Sequence, residues 1–406
     1  MGRTLQPMLS RPVGFWLIAV MLVLVLSAAS APTPLYGVYQ RLFGFPTFTL
    51  TAIYGVFAIA GLTTLLTSGR LSDHIGRRPV LLAALGGEIA GMLAFVAASD
   101  VPMLFVGRAL TGLATGAALG TISAWLLDLQ PTGSSIASLV NGVATLLGLA
   151  SGALISGFLV EFAPDPLHLV FWLLAALYAA SAVVALAIPD PAPRRPGWQS
   201  ALRPALAVPE PARPMFLASA PSLVGTFGLT GLYLSIGPSL AAFVLQTDSR
   251  AVGGLFVLAL AGTAAVSAAL LFRANPAIVL VRAPLALIGG VGVTLIGVWA
   301  DSVLMLFAGS VIAGIGLGPA FSAFLRTVAP LAPADERAAL LSATYVLIYL
   351  SFSVPAVIAG IAVTVFGLEA TTYAYGLAVM GLAAATTVAV SRRLGSVTPA
   401  PAVPRG

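Results

Sequence analysis

Two ionisable side chains lie inside otherwise apolar stretches. Glu88 sits in Leu85-Gly86-Gly87-Glu88-Ile89-Ala90-Gly91, and Arg108 opens Arg108-Ala109-Leu110-Thr111-Gly112-Leu113-Ala114-Thr115-Gly116. A carboxyl in apolar surroundings can take up and release a proton, so Glu88 is a candidate proton carrier; a protonated or paired structural acid is the other reading. A guanidinium there is costly in lipid and faces a polar cavity by default, where it could hold an anion. Because Arg108 lies only about five residues into its run, snorkelling toward headgroups is the alternative. A third concentration of charge is Gly69-Arg70-Leu71-Ser72-Asp73-His74-Ile75-Gly76-Arg77-Arg78-Pro79. There Gly69 permits close helix approach, Asp73 can accept from the free N–H groups of a helix start, and Arg77 can pair with a carboxylate through two donors. Thr33, Tyr36, Thr226, Thr230, Tyr233, Tyr345 and Tyr349 are polar groups that could line a cavity, and Tyr345 and Tyr349 share a helix face. Asn141 stays undecided between these roles.

The elements that carry these residues follow from composition. Of 406 residues, 59% are hydrophobic and 8% charged, against roughly 25% charged in an average soluble domain. A single soluble domain, a disordered chain and a nucleic-acid-binding protein are all excluded, in spite of a net charge of +6. Apolar runs divided by charge or by Pro and Gly predict twelve helical spans at 13–36, 47–68, 79–98, 103–126, 136–160, 169–188, 215–244, 251–272, 284–300, 303–325, 339–362 and 371–391. Helices satisfy their own backbone hydrogen bonds in lipid, and the sequence lacks the alternation of a β-barrel. The first run ends in Ala29-Ser30-Ala31, which superficially resembles a signal-peptide cleavage site. Pro32 directly after it and the length of the run favour retention as a span.

All 19 basic residues are Arg, because the chain has no Lys. With the N-terminus in the cytoplasm, sixteen arginines fall on the cytoplasmic side and two, Arg41 and Arg250, outside. This is a positive-inside distribution, and it places both termini in the cytoplasm of a multi-pass protein of the cytoplasmic membrane. The Pro- and Arg-rich segment 189–214 reads as a cytoplasmic linker between six-helix halves, 1–188 and 215–393, with a disordered tail at 394–406. Cys is absent and only His74 and His168 are present, so no disulfide, thiol nucleophile, metal site or cofactor is expected.

A repeat supports the two halves. Asp100-Val101-Pro102-Met103-Leu104-Phe105 opens span four, and Asp301-Ser302-Val303-Leu304-Met305-Leu306-Phe307 opens span ten. Continuing the alignment pairs Gly112 with Gly314 and Gly116 with Gly318, each 202 residues apart. A weaker echo joins Pro32-Thr33-Pro34-Leu35 to Pro238-Ser239-Leu240. Repeated halves around a central site are a common transporter plan.

The loop from Gly69 to Arg78 resembles the signature loop of the major facilitator superfamily, with His74 where Arg or Lys is usual. The resemblance implies an all-α membrane protein of twelve helices in two pseudo-symmetric six-helix halves. It further implies a conformational latch of Gly69, Asp73, Gly76, Arg77 and Arg78. Arg77 would pair with Asp128 at the cytoplasmic end of span four, Asp73 would engage the start of span eleven near Arg337 to Leu340, and the latch would stabilise the outward-open state. Arg108 with Gly112 and Gly116 is similar to the span-four motif of the superfamily's drug–proton antiporters. Gly148, Gly152 and Gly157 resemble their span-five motif, with Ala153 in place of Pro and Ser156 in place of the first of two paired Gly. The small face of that helix survives; the proline kink does not.

These features point to a secondary transporter, not an enzyme, working as a monomer in the lipid bilayer on a small-molecule substrate by alternating access. The sequence has no phosphate-binding loop, so ATP is not the expected direct energy source; protons are the expected coupling ion, through Glu88 with Arg108. Efflux of amphipathic or hydrophobic compounds by antiport is what the resemblance implies. A proton-coupled importer or facilitator of an anionic metabolite, with Arg108 as anion ligand, is the alternative. A membrane-embedded transferase would need a His, Asp or Glu cluster on one face, which the sequence lacks.

Overall fold

A computed structural model describes residues 9–68, 71–132, 134–192, 199, 206–247, 249–333 and 336–395. Gly69, residues 193–198 and 200–205 of the expected linker and the tail after Gly395 therefore lie outside the described residues. Among those described, twelve helices are long and apolar enough to cross a membrane.

Local chemistry sets where they begin. Asp100 caps span four by accepting from the Met103 N–H at 3.1 Å, and Ser302 caps span ten by accepting from Met305 at 3.4 Å. The two caps are themselves 202 residues apart, so Ser302, not Asp301, is the partner of Asp100 in the repeat. Span nine differs from expectation. Its helix is Pro276–Trp299, capped by Asn275 on Ala277 N–H, and Pro284 lies inside it. Proline at the first helical position suits a helix start; Pro276 fills that role, although the charge of Arg282 points to Pro284. Span one is longer than the apolar run. Helix Arg11–Ser30 yields at Pro32 and Pro34 to a single tight turn and resumes as Tyr36–Phe43. Span seven breaks likewise, into Arg213–Ser235 and Gly237–Leu245.

The packing repeats between the halves. Span one lies on spans four and five, two on four, and three on four and six; seven lies on eleven, eight on ten, and nine on ten and twelve. Between halves, span five runs along span eight and span two along span eleven. Exchanging the halves converts one of these interfaces into the other. Without a hydrophobic force between helices in lipid, small residues decide which faces meet. A Cβ on Gly116 would collide with the Gly61 carbonyl oxygen of span two, and one on Gly318 with the Ala264 carbonyl of span eight. The glycines paired by the repeat thus seat equivalent helices.

Candidate functional site

A large cavity lies between the halves. It holds about 1230 Å³ of empty space, counted out to its mouth. Its floor is formed by Leu26, Ala29, Phe57, Thr115 and Thr230 near the middle of the spans. From there it extends to Ser138, Phe272, Ser322 and Tyr345, which lie at the end of the bundle where span one begins.

At the opposite end the halves meet. Thr33 Oγ1 donates to the Leu234 carbonyl at 2.9 Å, and Glu161 accepts from Arg250 N–H at 2.6 Å, capping the start of span eight. A Cβ on Gly157 would approach the Arg250 carbonyl to 2.7 Å, and one on Gly360 would collide with Thr51. Tyr54 and Phe352 pack ring against ring across spans two and eleven with centroids 5.1 Å apart. A second, polar cavity of about 700 Å³ remains at this end, lined by Thr33, Tyr36, Arg41, Ser235, Ser239 and Arg250 among others.

The wall of the central cavity is aromatic and uncharged. Phe57, Phe227, Phe272, Phe321, Phe352, Tyr345 and Tyr349 supply rings, and Thr115, Ser138, Asn141, Thr145, Thr226, Thr230 and Ser322 supply polar groups. Among the described residues no Asp, Glu, Arg or His lines it. The Thr226 hydroxyl is buried without a hydrogen-bond partner among the described residues. Thr226, Thr230, Tyr345 and Tyr349 line this cavity. Thr33 and Tyr36 line the second cavity instead, beyond the helix break of span one. Tyr233 lines neither cavity: its hydroxyl is 2.8 Å from Ser310 Oγ and its ring stacks on Phe256. Phe57, Thr115 and the other phenylalanines escape a reading of the sequence, because in an apolar span nothing separates a cavity face from a packing face.

The two buried charges stand one layer behind this wall. Arg108 is fully buried; its Nε donates to Tyr36 Oη at 2.6 Å and its Nη1 to the Ala29 carbonyl at 2.9 Å. The guanidinium carbon lies 5.2 Å from the Phe57 ring centroid and 5.4 Å from that of Tyr36. Ring faces attract a desolvated cation and here replace water. Snorkelling is not what this side chain does. Glu88, also fully buried, accepts from Thr115 Oγ1 at 2.7 Å through Oε1, while Oε2 has no partner among the described residues. Among the described residues no carboxylate lies within 4.0 Å of Arg108, so the two charges do not form an ion pair. Ala29, Phe57 and Thr115 are at once cavity wall and cover for this charged layer.

At the mouth end, Arg77 is nearly buried and holds its loop together. Its Nε donates to Asp128 at 3.0 Å, its Nη1 to Ser72 at 2.7 Å, and it pairs with Asp73. Asp190, which follows span six, accepts from Arg77 N–H at 3.3 Å and Arg78 N–H at 3.1 Å. Arg78 also reaches the Ile188 carbonyl. The helix start that receives a carboxylate here is that of span three, from Asp190, and Gly76 enters it with φ 99°. The expected engagement of Asp73 with span eleven is not among the described contacts; Arg337 there donates to Ala332 within its own half. In span five, Gly148 and Gly152 seat span one, against the backbone of Val23 and Ser27, and Gly157 faces span eight of the other half. In span four, Gly112 and Gly116 seat span two.

Known proteins share this architecture. The family model described as Major Facilitator Superfamily matches residues 17–356. The tetracycline resistance protein, class B, of Escherichia coli is 34% identical over 120 residues, which is 29% of this chain and 29% of that protein. The glucose transporter GlcP of Staphylococcus epidermidis is 28% identical over 134 residues, 32% of this chain and 28% of that one. The chain thus spans under a third of the length of either relative. The crystal structure of the human organic anion transporter MFSD10 (TETRAN) overlays with a TM-score of 0.66 at 18% identity, covering 94% of this chain and 99% of that one; this likeness is one of fold.

Proposed function

The chain belongs to the Major Facilitator Superfamily, and from that premise we propose that this transporter exports uncharged amphipathic or hydrophobic organic molecules across the cytoplasmic membrane in exchange for protons. The observation that carries this reading is the uncharged, ring-lined cavity, shut between the halves at one end and extending to the other. Such a wall rewards apolar surface and a few hydrogen bonds, and it offers an ion no counter-charge. In the orientation that the distribution of arginines favours, its mouth faces the cytoplasm, from which an exporter must load. The tetracycline resistance protein among the relatives favours efflux, while GlcP is named a glucose transporter. An anionic substrate held by Arg108 is disfavoured, because Ala29 and Phe57 stand between that guanidinium and the cavity.

Within this reading Glu88 carries the proton, and Arg108 is the neighbouring fixed cation. The arrangement of Arg77, Asp73, Asp128 and Asp190 then holds the cytoplasmic end of the first half as one rigid piece during rocking, so that the halves move as bodies. The test is a proteoliposome assay with an imposed pH gradient and hydrophobic fluorescent dyes of differing charge. An uncharged dye driven out against its own gradient by inward protons supports the reading. Dye movement indifferent to the pH gradient overturns the coupling, and movement of anionic dyes alone overturns the substrate class.

A further inference from the structure

The described wall of the cavity carries no charged group, yet a carboxyl stands directly behind it. Thr115 connects them. It is one of the residues that line the cavity, and its hydroxyl donates to Glu88 Oε1 at 2.7 Å. This is the one hydrogen bond to the Glu88 carboxyl among the described residues, and the residue is fully buried. The groups that face Glu88 from the packed elements are Arg108 on span four, a fixed cation, and Tyr178 on span six, whose hydroxyl is committed to the Leu24 carbonyl at 2.8 Å.

We propose that Thr115 transmits the protonation state of Glu88 to the bound molecule by reversing the hydrogen-bonding sense of the cavity wall. A hydroxyl has one proton to donate and two lone pairs to accept with. When Glu88 is ionised, the Thr115 proton is spent on the carboxylate, and only lone pairs remain for the cavity. When a proton binds Glu88, the carboxylic O–H donates to Thr115 Oγ1, and the Thr115 proton is released. In an empty cavity it turns to the carbonyl four residues earlier, a common rest position for helical threonine. In an occupied one it donates to an acceptor on the ligand. One proton is added to the carboxyl and none is lost or gained by Thr115, so the cavity changes its chemistry without acquiring a charge.

The consequence rests on the reading of this cavity as the substrate site. A molecule that presents a hydrogen-bond donor to Thr115 binds the ionised form and competes with the proton, which is the condition for exchange. A molecule that presents only an acceptor binds together with the proton. The ligand class selected for export is therefore an uncharged aromatic bearing a hydroxyl or amide N–H.

Purified protein in lipid nanodiscs can be titrated with 2-naphthol and with 2-methoxynaphthalene, an uncharged pair differing in one donor, at acidic and at mildly alkaline pH. The expected result is a shift of about three- to tenfold in the ratio of the two Kd values between those conditions, the size of one net hydrogen bond, with the naphthol favoured at the higher pH. Thr115→Ser keeps the shift. Thr115→Val, which keeps the shape and removes the hydroxyl, flattens the ratio. Glu88→Gln, which has no titratable carboxyl, makes the ratio independent of pH. A flat ratio in the unmodified protein, or a full shift in a folded Thr115→Val protein, overturns the switch while leaving the cavity as a binding site. Failure of both probes to bind at any pH overturns the cavity reading and the switch with it.

Discussion

Thr115 lines the central cavity, and its hydroxyl donates, at 2.7 Å, to a Glu88 carboxylate that has no solvent exposure of its own. Arg108 is placed in the same way, with Phe57 and the backbone of Ala29 between it and the cavity. Both charges lie one layer behind the cavity wall. A molecule bound in this cavity would meet an uncharged surface with both charges behind it.

Arg108 holds span four to span one, and its loss should register first as loss of stability. Arg108→Leu leaves the Tyr36 hydroxyl and the Ala29 carbonyl buried without their donor, a cost on the order of 3 kcal/mol. Arg108→Lys should not restore it, because an ammonium lacks the planar fork that reaches both partners and lies against two rings. Thermal unfolding in detergent reads this directly, and an unchanged midpoint for Arg108→Leu would remove the anchor role.

The glycines of the repeat should fail alike. Gly116→Val and Gly318→Val each drive a side chain into a neighbouring carbonyl, and overpacking of this kind costs about 1–3 kcal/mol. Gly86, where an added methyl would meet nothing within 4 Å, should accept Ala with little effect. If the two valine variants melted like Gly86→Ala, close approach would not be what those positions require.

Closure at the end remote from the cavity mouth can be trapped covalently, since the chain has no cysteine. A Cβ on Gly55 would lie 3.1 Å from Val357 Cγ2 across spans two and eleven. Oxidation of Gly55→Cys with Val357→Cys should join them and stop transport, and reduction should restore it. Continued transport by fully cross-linked protein would show that these ends need not part.

Asp190 should matter to the loop between spans two and three as a helix cap. Asp190→Ala removes the acceptor for two N–H groups at the start of span three, and loss of a cap costs about 1 kcal/mol. Gly76→Ala should destabilise further than Gly86→Ala, because φ 99° strains any residue with a Cβ and that Cβ would meet Asp190 at 3.0 Å. Unfolding midpoints of the three variants compared side by side decide this, and an Asp190→Ala protein as stable as the parent would leave the cap without weight.

Much of the fold is written locally. The length of each apolar run, the cap at Asp100 and the spacing of Gly112 and Gly116 fix the number of helices, the start of span four and its small face, because each depends on a few consecutive residues. The charged loop around Arg77 and the isolation of Glu88 and Arg108 are legible for the same reason. Breaks in spans one and seven are harder to read, since Pro32 and Gly237 interrupt helices without interrupting the apolar run.

What the tertiary structure alone decides is which side of each helix becomes wall. Tyr36 and Tyr349 are equally plausible cavity groups in sequence, yet one holds Arg108 and the other lines the central cavity. Asp190 and Arg77 are 113 residues apart and meet only because span six returns the chain beside span three. In sequence, Thr115 is one more small residue between two glycines. Hydropathy assigns a residue to the membrane but carries no information on its angular position relative to eleven other helices, and that position is what separates a buried charge from a ligand contact.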